Sequence, residues 1–215
     1  RDIFRHRGIW ILAAFLFLLG LVTQAAMAEK LLELKFEKYT LSNGMDVILH
    51  EDHSIPVVAV NVMYHVGCKN DKRGRTGLAH LVEHMMFQGS EHFDGEYFAP
   101  FEKIGGRAGG GIMRDITAYR ETVPGNYLEL ALWLESDRMG FLLPALTQKK
   151  LDNQRDVVKN ELRQGYLNIP YEKSWELLFK MIYPDDHPYS WLPLGSMEDL
   201  SAAALEDVSA FFKIF

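Results

Sequence analysis

The sequence predicts an α+β fold, with a largely antiparallel sheet and helices packed on it. Segments with strand character fall mainly in the first half of the chain, and helical spacing of apolar residues dominates the second half. Asn43 and Gly44 lie between two apolar runs, which is the strongest short-range signal for an antiparallel hairpin. With 48% hydrophobic and 24% charged residues among 215, the chain has an ordinary globular composition.

The first 28 residues have the pattern of a signal peptide. Basic residues precede an apolar run over 9–22, which is short for a membrane span, and Ala26-Met27-Ala28 has the small–x–small form of a cleavage site. We therefore predict a signal peptide over 1–28, cleavage after Ala28 and export, as into a bacterial periplasm. The alternative is an uncleaved segment that anchors the protein, which would be its only contact with a membrane.

Strands are predicted where β-branched residues or strict alternation prevail. Pro124 ends the last of them, and the glycine-rich stretch 105–111 has no clear local pattern. The predicted strands are residues 38–41 and 46–49 around the hairpin turn, 56–66 and 115–123.

Helices are predicted where apolar residues recur every three or four positions without proline. Thr147 is the expected N-cap of the longest one, and the prolines over 184–193 mark a loop. The predicted helices are residues 77–87, 97–104, 126–139, 147–167, 174–182 and 205–215.

Charge and cysteine content exclude some classes of function. The formal charge is −6, which argues against a nucleic-acid partner held through phosphate neutralisation. The one cysteine, Cys68, excludes an intrachain disulfide and a multi-cysteine zinc site, and we expect it to be a small packed residue rather than a nucleophile.

The motif His80-Leu81-Val82-Glu83-His84 lies in the first long predicted helix. Residues three and four apart share a helix face, so His80 and His84 point the same way and Glu83 stands beside them. Two imidazoles one turn apart can hold one metal ion, and a neighbouring carboxylate can act as a base. This is the inverted order of the His-Glu-x-x-His zinc helix.

A catalytic zinc site needs a third protein ligand and an open position for water. Spacing alone leaves the third ligand open, although Glu161 is attractive because it lies on a long helix with apolar residues available to pack it. With zinc activating a water near neutral pH and Glu83 as the general base, the predicted reaction is hydrolysis of a peptide bond. The candidates for the third ligand include Glu121, Glu135, Glu161 and His187.

The segment 74–87, Gly-Arg-Thr-Gly-Leu-Ala-His-Leu-Val-Glu-His-Met-Met-Phe, resembles the pitrilysin, insulysin and mitochondrial processing peptidase family, in its bacterial branch. The resemblance covers nearly everything after the signal segment and implies that His80, His84 and Glu161 bind Zn²⁺ while Glu83 is the general base. It also rests on residues 64–67, 121–124, 133–139 and 155–161.

Two departures from the family pattern concern the surroundings of this site. Many relatives carry a second Glu seven residues before the ligand, where this chain has Gln154, which can orient neighbours but cannot take a proton. Relatives also carry an Asn on an edge strand that pairs with substrate, and here that position falls at Gly109 or Gly110. We expect these glycines to bind substrate through their backbone, because a sheet edge can accept an added strand.

The resemblance also implies a domain organisation. Family members are built from two or more similar domains that close around a peptide, so residues 29–215 are expected to be the N-terminal zinc-binding domain of a longer chain. The expected partners are a peptide substrate and a homologous C-terminal domain or partner subunit, and the fragment alone should be weakly active or inactive. The alternative function is a non-catalytic partner or scaffold subunit of a peptidase pair.

Overall fold

The computed structural model describes residues 34–215, which form two compact units over 34–55 and 56–215. The predicted signal peptide and its cleavage site lie outside these residues, and so does the predicted domain boundary at residue 29. Within 34–215, no helix combines the length and the apolar character that crossing a membrane requires.

The first unit contains the predicted hairpin. Strands β1 (Glu37–Thr40) and β2 (Asp46–Leu49) pair antiparallel, with Thr40 opposite Asp46. Gly44 has a φ of 90°, a left-handed conformation that glycine adopts without strain, and the backbone N of Met45 donates to Oδ1 of Asn43 at 3.1 Å. The hairpin prediction is therefore confirmed.

The second unit is built on a three-stranded antiparallel sheet in the order β3-β5-β4. Its strands are β3 (Val57–Tyr64), β4 (Arg107–Ile112) and β5 (Thr117–Pro124). Strand β4 is formed by the glycine-rich stretch that had no local pattern, because pairing with β5 along its whole length supplies the order that its side chains do not. Alternate residues of β3 are exposed, so one face of this strand lies on the core and the other faces away from it.

Helices make up most of the rest of the second unit. The predicted helices are present, with ends shifted by a few residues, and one short helix, α6, was not predicted. The helices are α1 (Leu78–Met85), α2 (Ala99–Lys103), α3 (Leu128–Phe141), α4 (Gln148–Leu162), α5 (Lys173–Ile182), α6 (Met197–Ala202) and α7 (Leu205–Ile214).

The longest predicted helix differs in detail from the prediction, and two of the helices begin at a side-chain cap. The helix expected over 147–167 is α-helical to Leu162 and continues over Arg163–Leu167 as a π-helical turn, a feature that is frequent at functional sites. Oγ1 of Thr147 caps its start, accepting from the backbone N of Lys150 at 3.3 Å. Helix α6 has a cap of the same kind, because Oγ of Ser196 accepts from the backbone N of Asp199 at 3.0 Å.

One apolar cluster holds α1 against α4 and α7. The side chains in this contact are almost wholly buried, and each contributes roughly 1.5–3 kcal/mol relative to an exposed position. Because the cluster joins α1 to α4 along their length, it fixes the distance between the side chains that these two helices share. Its members include Leu81, Val82, Met85, Leu151, Val158, Leu162, Val208 and Phe211.

Candidate metal centre

The residue that precedes helix α1, Gly77, can only be glycine, because of both its backbone conformation and its close neighbours. Gly77 has a φ of 85°, and a Cβ there would lie 2.9 Å from the carbonyl oxygen of Leu194. Glycine has no side chain to cap the helix, so Asp71 supplies the cap. Its two carboxylate oxygens accept from the backbone N of Gly77 and of Ala79, each at 2.8 Å. These bonds fix the first turn of α1, immediately before His80.

Three side-chain atoms converge between α1 and α4. Nε2 of His80 and Nε2 of His84 lie 3.2 Å apart. Oε2 of Glu161 lies 3.5 Å from Nε2 of His80 and 3.3 Å from Nε2 of His84. Within residues 34–215, no other three His, Cys, Asp or Glu side chains are placed to share a metal ion.

The spacing of this trio fits zinc. A tetrahedral zinc site with bonds of about 2.0–2.1 Å places its ligand atoms about 3.3 Å from one another. Two imidazole nitrogens and one carboxylate oxygen are also a donor set that catalytic zinc sites use, with the fourth position open. The trio could therefore hold a zinc ion without rearrangement of the two helices.

Packing of α4 places the third member of the trio. Glu161 lies between Val158 and Leu162 on α4, and both of these side chains are buried in the cluster shared with α1. The carboxylate stands at the edge of that contact, with its side chain about half exposed, at 46%. Apolar packing of α4 on α1 thus sets where the backbone of Glu161 lies relative to the imidazoles.

The two imidazoles are both prepared to present a nitrogen lone pair. Nδ1 of His84 donates to Oε1 of Gln154 at 3.2 Å, which leaves Nε2 of His84 without a proton when the ring is neutral. Burial, and then the charge of His84, lower the pKa of His80 to about 3, so His80 is neutral at physiological pH.

Glu83 stands beside the trio as a buried carboxylate. Its Oε2 lies 4.0 Å from Nε2 of His80, and its side chain is almost fully enclosed. Burial, and then the charge of Glu161, raise the pKa of Glu83 to about 7. A carboxyl group with this pKa can both accept and release a proton near neutral pH, which suits general acid–base chemistry.

The trio opens into a cleft of about 710 Å³, a volume typical of binding sites. Phe87 lines it and stacks on Phe98 with ring centroids 4.9 Å apart, forming an apolar wall. Met85 and Met86, which precede Phe87 in the sequence, are buried in the core. The other walls come from α4, α5, β4 and the loop that precedes α6.

The other candidates for the third ligand lie away from the histidines. Nη2 of Arg138 donates to Oε1 of Glu121 at 3.2 Å, and its Nε donates to Oε2 of Glu135 at 3.0 Å. All three groups are buried, and burial together with Glu135 raises the pKa of Glu121. His187 stacks on Tyr183 in the proline-containing loop. Each candidate is thus engaged elsewhere.

Gly109 and Gly110 lie in the middle of β4, and the space around them differs. A Cβ on Gly110 would lie 3.0 Å from Oε1 of Glu83 and 2.9 Å from Cζ of Phe87, whereas a Cβ on Gly109 would meet nothing within 4 Å. In the described sheet β4 pairs with β5 along one edge and has no strand on the other. Because Gly110 has no side chain, the carboxylate of Glu83 can occupy the space beside β4. Gly109 adds no side chain to the strand either, and the space next to it is empty of described atoms within 4 Å.

One contributor to the site, Asp71, was not predicted. Asp71 caps α1 from six residues before its N-cap, a spacing that matches no local capping pattern, so the sequence offers no signal for it. Gln154 was expected only to orient neighbours, and its contact with His84 specifies which neighbour.

Cys68 is a packed residue, as its sequence context predicted. It is fully buried and forms no disulfide, and burial raises the pKa of its thiol well above the ordinary value. A thiol held in its protonated form does not act as a nucleophile.

Known proteins share both sequence and fold with this chain. The family model described as Insulinase (Peptidase family M16) matches residues 46–181, which is more than half of the chain. The zinc protease PqqE of Helicobacter pylori is 31% identical over 183 residues, covering 84% of this chain and 40% of that protein. The chain thus spans less than half the length of this relative.

Solved structures show the same fold. The crystal structure of a protease from Helicobacter pylori has a TM-score of 0.79 and 30% identity, covering 85% of this chain and 44% of that one. Pitrilysin has a TM-score of 0.75 and 22% identity, covering 86% of this chain and 20% of that one. The family match, the relatives described as zinc proteases and the shared α+β fold agree with one another. The chain belongs to the insulinase family, peptidase family M16.

Proposed function

We propose that the full-length protein is a zinc-dependent endopeptidase that cleaves peptides or unfolded segments. The observation that carries this proposal is the convergence of Nε2 of His80, Nε2 of His84 and Oε2 of Glu161 at 3.2–3.5 Å from one another. These three residues would hold the zinc ion, and Glu83 lies beside them as the general base. Relatives described as zinc proteases support the same activity.

The residues of the chain have separate tasks in this reaction. When bound, zinc supplies a Lewis acid that polarises the scissile carbonyl and makes a water acidic near neutral pH. Glu83 accepts the proton of the attacking water and then delivers it to the nitrogen of the leaving amine. Gln154 holds the ring of His84 in the tautomer that leaves Nε2 free, and the aromatic wall formed by Phe87 and Phe98 excludes water.

The substrate would bind as an added strand along β4. The edge of β4 that is not paired in the described sheet carries backbone donors and acceptors, and Gly110 and Gly111 line the cleft next to Glu83. Gly109 and Gly110 would contribute backbone groups only. Substrate side chains could therefore lie close to this strand without meeting a side chain from it.

A second, homologous domain or partner subunit would complete the enzyme. The chain spans 40% of the relative from Helicobacter pylori and 44% of the matching solved structure. We therefore expect the rest of the full-length protein to cover the cleft, and the domain described here to be weakly active or inactive by itself.

Peptide cleavage by the full-length protein tests the activity. Purified protein is loaded with zinc and incubated with a mixed library of unstructured peptides, and the products are identified by mass spectrometry. The wild type should cleave internal bonds, and Glu83→Gln should retain zinc but lose at least about 100-fold in rate, because it removes the general base. Gln88→Ala, which changes another residue lining the cleft, is the control for general damage to the pocket.

Two results would redirect the proposal. Zinc-loaded wild type that binds peptides and cleaves none would favour the alternative, a non-catalytic partner subunit. Equal rates for the wild type and Glu83→Gln would remove Glu83 from its role as the base.

Export is a separate part of the proposal. The basic start, the apolar run over 9–22 and the Ala26-Met27-Ala28 site favour secretion with cleavage after Ala28. Mass spectrometry of the protein isolated from cells tests this directly. A mature N-terminus at Glu29 is expected, and a retained residue 1–28 segment in the membrane fraction would support the anchored alternative.

A further inference from the structure

Arg114 stands apart from the other groups that line the cleft. Among the described lining residues it is the only lysine or arginine, and the acidic ones are Glu83, Glu161 and Glu172. It lies two residues after the end of β4, and so at one end of the strand along which the substrate would bind. The roles proposed for the trio and for Glu83 do not use it.

The backbone around Arg114 is held firmly. The backbone N of Cys68 donates to the carbonyl oxygen of Met113 at 3.1 Å, and the backbone N of Lys69 donates to that of Arg114 at 3.0 Å. Gly67 lies so close that a Cβ on it would be 2.4 Å from the oxygen of Met113 and 2.5 Å from that of Arg114. The position of Arg114 is therefore set before any ligand arrives, which lowers the entropy cost of binding.

The guanidinium of Arg114 is placed by aromatic residues rather than by carboxylates. Its Cζ lies 3.8 Å from the ring centroid of Phe179 and 5.8 Å from that of Tyr189. Nε and Nη2 are buried and donate to no described residue, while the side chain as a whole stays partly exposed. The stack orients the guanidinium but does not neutralise it.

The acidic residue nearest to Arg114 in the sequence, Asp115, is hydrogen-bonded to other residues. Asp115 accepts from Nζ of Lys69 at 2.8 Å and from the hydroxyl of Tyr189 at 2.7 Å. Glu172 lines the same cleft and forms no ion pair with Arg114. The charge of Arg114 is therefore not neutralised by a carboxylate of the described residues, and a carboxylate that enters the cleft can form a charge-assisted contact with the accessible part of its side chain.

We propose that Arg114 binds a carboxylate of the peptide substrate and thereby makes the enzyme selective for acidic peptides. The inference rests on the proposed peptidase function and adds a substrate class to it. The planar guanidinium suits the two oxygens of a carboxylate. The carboxylate comes either from an Asp or Glu side chain or from the C-terminus of a short peptide, and both have the same chemistry.

The test uses the full-length, zinc-loaded protein and a set of matched peptides. A neutral reference peptide is compared with versions that carry Glu in place of Gln at each position in turn, and each is made with a free and with an amidated C-terminus. The wild type should prefer one acidic version over its neutral partner by about 10- to 100-fold in kcat/KM, the range expected for a hydrogen-bonded charge pair. A preference that vanishes on amidation identifies the C-terminal carboxylate as the ligand.

Variants of Arg114 assign the preference to this residue. Arg114→Gln should bring the ratio of acidic to neutral kcat/KM towards one, Arg114→Lys should keep part of it, and Arg114→Glu should favour Lys-containing peptides. Arg73→Gln, in an exposed loop outside the cleft, is the matched control and should leave the ratio unchanged. If Arg114→Gln folds poorly, Arg114→Lys still tests the inference. This variant keeps the positive charge and loses only the parallel N–H donors of the guanidinium.

A binding measurement separates this inference from the peptidase function. Fluorescence anisotropy with labelled acidic and neutral peptides is carried out on Glu83→Gln, with and without Arg114→Gln. Weaker binding of only the acidic peptide in the double variant supports the inference even if no peptide is cleaved. Equal binding and equal cleavage of acidic and neutral peptides by the wild type would overturn it and leave the peptidase function intact.

Discussion

Gln154 and His84 are joined by a hydrogen bond from Nδ1 to Oε1 of 3.2 Å, and the Gln154 side chain is buried where it makes this bond. The acceptor is a neutral amide, so it orients the imidazole without adding a negative charge to the centre. A carboxylate at this position would add one. The hydrogen bond thus sets the tautomer of His84 independently of the charge balance among Glu83, Glu161 and the metal.

Removing this acceptor should weaken zinc binding. Gln154→Leu keeps the size of the side chain but cannot accept from His84, and we expect zinc affinity to fall about 10- to 100-fold, as is typical of partners that orient a metal ligand. Gln154→Glu keeps an acceptor for Nδ1 of His84, and this variant should bind zinc at least as well as the wild type. Competition with a chromophoric chelator measures both. Unchanged affinity in Gln154→Leu would show that the hydrogen bond is incidental.

Two glycine-to-alanine changes should have opposite effects on stability. In Gly67→Ala the new Cβ would meet two backbone oxygens at 2.4 and 2.5 Å, and we expect a loss of about 1–3 kcal/mol in the free energy of unfolding. In Gly140→Ala, inside α3, it would meet nothing within 4 Å, and we expect a gain of about 0.4–1 kcal/mol. Urea unfolding measures both. A tolerated Gly67→Ala would contradict the close approach to Arg114.

Asp137 should give the protein a pH-dependent contribution to stability. Burial alone would raise the pKa of Asp137, but the hydrogen bonds from Ser90 and His92 outweigh it and hold this pKa below its ordinary value. A lowered folded-state pKa stabilises the protein above the unfolded pKa near 4, and this contribution is lost as the pH falls through the folded value.

Asp137→Asn should therefore cost about 1–3 kcal/mol at pH 7 and clearly less at pH 3. Unfolding in urea at the two pH values measures the difference. Asp156→Asn, on the exposed side of α4, is the matched control and should stay within about 0.5 kcal/mol of the wild type. A cost for Asp137→Asn that is the same at both pH values would contradict the lowered pKa.

Local sequence patterns predicted most of the fold because the deciding features were themselves local. Asn43 and Gly44 are sufficient for a tight turn, and Thr147 is a good N-cap for the helix that follows it. Strand β4 could not be predicted from its own residues, since Gly109, Gly110 and Gly111 have no side chains to indicate a state. Its order comes from pairing with β5, a contact that only the folded chain makes.

The residues of the site also differ in how far the sequence alone could predict them. The spacing of His80, Glu83 and His84 is a property of one helix, so the sequence alone placed them together. The third member depends on how α4 packs on α1, and the residues alone left it open. The resemblance to a family pointed to Glu161, and in the structure its Oε2 lies 3.3 Å from Nε2 of His84. Arg114 had no distinguishing signal, because its unpaired state depends on distant residues such as Phe179.

Zinc stoichiometry and affinity in the full-length protein test whether His80, His84 and Glu161 form the metal site. The measurement compares the wild type with Glu161→Gln and with Glu172→Gln, a carboxylate of the same cleft that lies outside the trio. We predict a single zinc ion per chain in the wild type and in Glu172→Gln, and an affinity for Glu161→Gln reduced by more than about 100-fold, beyond the loss from an orienting partner. Wild-type zinc affinity in Glu161→Gln would exclude Glu161 as the third ligand.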